Sequence, residues 1–163
     1  MEVLQFEKLT VIQIIQLMLA PAVMISACGL LLLSINNKYS LVVNRIRLLN
    51  DEKRKLMMSV GEKPLATEDN IRLESIAKQI GFLVYRGKLV RNAVLTYIVG
   101  IALFVLTSLF IGISAFLSYQ MLNDFIITAF LLGMLSVFIG TVYMGLEAKK
   151  GYEIILFEVK AHE

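Results

Sequence analysis

Hydrophobic positions fall into three long uncharged runs, with one long polar stretch between the first and the second. Leu9 to Ile35 holds 27 residues and no charge, where about 20 apolar helical residues suffice to cross a bilayer core. Ala93 to Leu117 and Phe125 to Leu146 are equally free of charge. Each run predicts a membrane-spanning helix. Residues 36–92 are polar but keep apolar positions at three-and-four spacing: Tyr39, Val42, Ile46, Leu49 and Leu56 going out, then Leu73, Ile76, Ile80, Leu83 and Val90 coming back. That period is helical, and Gly61 and Pro64 break it in the middle. Thr67 or Asp69 can cap the returning helix. With no glycine or proline between Ile35 and Ser59, the first span is expected to run straight into its arm, a helix of roughly 75 Å from Leu9 to Met58 at about 1.5 Å per residue. Gly81 and Gly87 each mark a place where the returning arm can pack closely on its partner. The predicted fold is therefore an all-α membrane protein. It has three transmembrane helices and a long helical hairpin between the first and second, divided as 1–35, 36–92, 93–146 and a tail 147–163.

Polar and small residues are not scattered through the first run. Gln13, Gln16, Ala20, Val23, Ala27, Leu30, Ser34 and Asn37 alternate spacings of three and four, which places them on one helical stripe. Unpaired polar groups in lipid are costly, so this stripe is expected to face protein or water. Pro21 cannot donate to the carbonyl of Leu17 and weakens the helix there. It reads as a static bend, with a hinge as the sharper alternative.

Composition agrees with a membrane protein: 58% hydrophobic residues and a mean hydropathy of +0.75 lie well outside the soluble average. Twelve of the sixteen Lys and Arg residues fall within 36–92, and the positive-inside rule then puts the hairpin in the cytoplasm and the N-terminus outside. The turn Ser118 to Asp124 has no basic residue, and Asn123 or Asp124 can cap the third span. Lys149 and Lys150 follow that span, as expected of a cytoplasmic C-terminus. The net charge of +3 and pI near 9.0 are thereby explained by topology, without nucleic acid. Cys28 and His162 are single, so neither an intrachain disulfide nor a Cys/His zinc site is expected, and no cofactor is called for. Ile25-Ser26-Ala27-Cys28 approaches a lipoprotein cleavage pattern, but the run stays apolar through Leu33, which favours a cysteine packed between helices.

No nucleophile-base pair, carboxylate dyad or phosphate loop stands out, and an enzyme is not expected. Ser108 and Gly112, Ala129 and Gly133, and Ser136 and Gly140 are small pairs four apart, a pattern that lets membrane helices approach and here predicts self-association. Arg45, Arg47, Arg86 and Arg91 form a basic belt below the membrane that can hold lipid headgroups. Topological anchoring with helix-surface pairs, such as Asp51 with Lys55, is the plainer account of that belt.

Leu19-Ala-Pro-Ala-Val-Met-Ile-Ser-Ala-Cys-Gly-Leu-Leu-Leu-Leu-Ser34, Asn36-Asn-Lys-Tyr39, Asn44-Arg-Ile-Arg47, Arg91-Asn-Ala93 and Leu106-Thr-Ser-Leu109 resemble the bacterial membrane-protein family catalogued as domain of unknown function 2721. The likeness covers roughly residues 10–145. It implies a small prokaryotic inner-membrane protein with three spans and carries no activity and no functional residue with it. From the residues themselves, the expected function is a homo-oligomeric cation channel. Gln13, Gln16, Ala20, Ala27 and Ser34 of each first helix would line the path, and Glu2 and Glu7 would stand at its outer mouth. The competing expectation is a non-conducting scaffold that presents the hairpin to a cytoplasmic protein.

Overall fold

A computed structural model describes the backbone of residues 11–59, 67–117 and 120–160, and the side chains of 12–58, 69–114 and 122–152. The chain forms three helices: α1 (Val11–Ser59), α2 (Thr67–Leu117) and α3 (Gln120–Lys160). All three are long and apolar enough to cross a membrane, and no strand occurs among the described residues. α1 is the long helix expected from the unbroken stretch after Ile35, and it runs through Pro21. Pro21 is fully buried, so the ring that removes a backbone donor also fills an interior position, which favours a fixed local geometry over a hinge. The break between α1 and α2 falls where Gly61 and Pro64 predict it; their placement, and the side chain of Thr67, lie outside the described residues.

α3 departs from expectation at both ends. Gln120 to Asp124, read as part of a turn, are helical, and the hydroxyl of Thr128 donates to the Asp124 carbonyl at 2.6 Å. Asn123 and Asp124 are therefore interior helical residues and not caps, because nothing after Gln120 breaks the helix. The segment read as a tail from 147 also continues the helix to Lys160.

The chain divides into two compact units, one of Met1–Leu33 with Leu95–Gly140, the other of Ser34–Val94 with Thr141–Glu163. In the first, α2 and α3 run antiparallel: Gly140 meets Thr96 and Tyr97, Gly133 meets Phe104, and Phe110 meets Phe125 edge-on at 5.4 Å. Glycine is required at both contacts. A Cβ on Gly133 would sit 2.8 Å from the Phe104 ring, and one on Gly140 would sit 2.7 Å from Thr96 Oγ1. The hydroxyl of Ser136 donates to the Thr96 carbonyl across the same seam at 2.7 Å, a bond worth on the order of 1 kcal/mol in a membrane. Ala129, Gly133, Ser136 and Gly140, two of the small pairs from which self-association is expected, thus serve packing within the chain. Gly112 faces open space. Buried Thr107 donates to the Leu103 carbonyl one turn back, the usual way for a membrane helix to satisfy a hydroxyl.

In the second unit α1 buries Ile35, Val42 and Leu49, seven residues apart, and α2 buries Ile76, Leu89, Val90 and Ala93. A seven-residue repeat keeps one face of a helix against its neighbour over many turns. Gly87 faces Val42 at ordinary contact distance, whereas Gly81 faces open space. Near the far ends of the arms, Arg72 donates through Nε and Nη2 to Glu52 Oε1 at 2.8 and 2.7 Å. Asp51 pairs with Arg54 at 3.4 Å instead of the expected Lys55.

Candidate functional site

The outward stripe of α1 is the first candidate. Gln13, Gln16, Ala20, Val23, Ala27, Leu30, Ser34 and Asn37 are all exposed on the single chain. The heptad positions between them, Pro21, Cys28 and Ile35, are buried. On the single chain the stripe, expected to face protein or water, is thus not buried against other helices. Where it continues past Ser34 its character reverses: Leu41 and Leu48, seven and fourteen residues on, are 69% and 63% exposed. Glu2 and Glu7, expected at an outer mouth, lie outside the described residues.

A second constellation was not anticipated. Glu147, assigned by sequence to a tail, is 2% exposed and belongs to the interior of the second unit. Arg86 donates to its Oε1 through Nε at 3.0 Å and Nη2 at 2.6 Å, and Lys38 Nζ stands 3.8 Å from Oε2. Burying a carboxylate is tolerable only with such partners. Gly151, one turn further along α3, makes room for the guanidinium, since a Cβ there would sit 3.0 Å from Arg86 Nη2. Beside the triad opens a cleft of about 230 Å³, lined by Lys38, Leu41, Val42, Arg45, Leu83, Arg86 and Glu147.

The basic belt is thus divided. Arg86 is turned inward onto an acid, Arg45 lines the cleft, and Arg47 and Arg91 are exposed and do not line it. The signal that could have found Glu147 is its register: Gly133, Gly140 and Glu147 are seven apart, so the acid continues the face that the two glycines pack. Reading the third span as ended at Leu146 hid it. Among the described residues no group of three metal-ligating side chains occurs, and no buried side-chain polar atom lacks a partner.

No curated protein and no solved structure matches the chain. A family model does, over residues 18–155, under the description "Protein of unknown function (DUF2721)". With three helices fit to cross a membrane and a match over most of its length, the chain belongs to the DUF2721 family.

Proposed function

We propose that the protein is a homo-oligomeric cation channel of the prokaryotic cytoplasmic membrane, with α1 of each copy lining a central path and the hairpins projecting into the cytoplasm. The observation that carries this reading is the reversal along one face of α1. Where the chain is uncharged and suited to lipid, the outward stripe carries Gln16 and Ser34; where the chain is polar, it carries exposed Leu41 and Leu48. Each half is the opposite of what its surroundings favour, since carboxamides are costly in hydrocarbon and leucines in water. Copies of α1 meeting along this face answer both demands. The leucines cover one another beneath, and the carboxamides gain water or one another above. No charged residue lies in the uncharged run, so conduction would rest on carboxamide and hydroxyl groups. With the N-terminus outside, Glu2 and Glu7 would raise the local cation concentration at the entrance.

The test is ion-flux recording from the purified full-length oligomer in lipid. A cation current is expected, and Gln16→Leu, which removes hydrogen-bonding capacity at similar size, should favour dewetting and lower the conductance. Ser108→Ala, on a supporting helix, should change it little. An intact oligomer that passes no cation under voltage, stretch or changed calcium would replace the channel with the scaffold reading. A current indifferent to substitution of both Gln13 and Gln16 would move the path to another helix.

A further inference from the structure

The cleft beside Glu147 holds more positive charge than its one carboxylate balances. Lys38, Arg45 and Arg86 line it against a single acid, and its remaining walls are Leu41, Val42 and Leu83. Glu147 receives Arg86 at hydrogen-bond distance on one oxygen, and Lys38 approaches the other only to 3.8 Å with its side chain half exposed. Arg45 is exposed and makes no ion pair or hydrogen bond among the described residues. Lys38 and Arg45 are seven residues apart on α1, two turns along one face, with Leu41 and Val42 between them.

The level of the cleft along the chain is also fixed. Lys38 is the first charge after the run that ends at Ile35, and Glu147 is the first after the run that ends at Leu146. Lys38 and Glu147 therefore stand where α1 and α3 leave the uncharged runs, while Arg45 lies seven residues further along α1 and reaches the same cleft. We infer that this cleft binds the phosphate of an anionic membrane lipid, with Lys38 and Arg45 donating to the phosphate, the headgroup beyond it against Val42 and Leu83, and the acyl chains leaving past Lys38 toward the uncharged runs. Arg86 and Glu147 hold the wall in place, and their pairing prevents Arg86 from collapsing into the space. A free inorganic ion would satisfy the cations but make no use of the hydrocarbon that begins beside Lys38. A lipid phosphate satisfies both, and basic recesses between helices at the membrane edge suit such headgroups. The volume of about 230 Å³ fits a headgroup and not a whole lipid. This site is independent of conduction, since a protein that passes no current can still retain lipid.

The test is native mass spectrometry of the full-length protein in detergent, titrated with phosphatidylglycerol or with phosphatidylcholine. Phosphatidylglycerol should be retained in preference, and Arg45→Ala and Lys38→Ala should each weaken its retention by about five-fold, the effect of one basic residue near an anionic headgroup. Both side chains are exposed, and thermal unfolding serves to show that the variants fold. Arg47→Ala removes the same charge from the same helix outside the cleft and should leave retention unchanged. Equal losses in Arg45→Ala and Arg47→Ala would overturn the site in favour of diffuse attraction. Equal retention of the two lipids would also overturn it, and displacement of the lipid by equimolar inorganic phosphate would reassign it to the free ion.

Discussion

Glu147 and Arg86 depend on each other within the second unit, because a buried carboxylate and an arginine side chain only 25% exposed stabilise each other only as a pair. Glu147→Ala leaves Arg86 turned inward with no acid, and should lower stability by about 3 kcal/mol, read as a fall in the thermal unfolding midpoint in detergent. Replacing both partners, Arg86→Met with Glu147→Leu, should recover much of that loss, because the one charge left without its acid is then Lys38, which is half exposed to solvent. The glycines offer a sharper contrast. Gly140→Ala drives a methyl to 2.7 Å from Thr96 Oγ1, whereas Gly145→Ala meets nothing within 4 Å. The first should destabilise by about 1–3 kcal/mol through overpacking, the second scarcely at all, in the same unfolding measurement.

At the scale of the helix, the orientation proposed above predicts that a cysteine introduced at Gly61, in a Cys28→Ser background, resists an impermeant thiol reagent added outside intact cells. It should react once the membrane is opened, and labelling from outside would invert the topology. The three helices and the long unbroken α1 were legible in the sequence, because period and length alone decide them; the exposure of the stripe on the single chain was not, since its composition suits contact with protein as well as with water. The extent of α3 was not. Lys149 and Lys150 mark a membrane edge equally well whether the helix stops there or continues, and the turn before α3 was read from polar residues that a helix also accepts. The small pairs carried a similar ambiguity. Close approach is written in Gly133 and Gly140, but whether the approaching helix belongs to the same chain or to another copy depends on Phe104 and Tyr97, which composition does not single out. The triad escaped because Lys38, Arg86 and Glu147 sit on three different helices and no local pattern connects them.

For the whole molecule, the outward leucines give a way to test whether copies meet along one face. Leu48→Cys in a chain with Cys28→Ser should form disulfide-linked dimers under mild oxidation in the membrane, while Met57→Cys, also exposed but off the leucine register, should link far less. Equal yields at both positions would mean random collision and no shared face. The triad has a consequence for how the chain is made. Synthesis runs from the N-terminus, so Lys38 and Arg86 leave the ribosome before Glu147 does, and the acid enters a place where both cations already wait. A chain cut short after Leu146 has the cations without the acid, and its second unit lacks the charge around which Arg86 is arranged. Such a fragment, although it keeps all three uncharged runs, is expected to insert and then be cleared by membrane proteases far faster than the full chain in a pulse-chase measurement, so that the last stretch of α3 acts as the signal that assembly is complete.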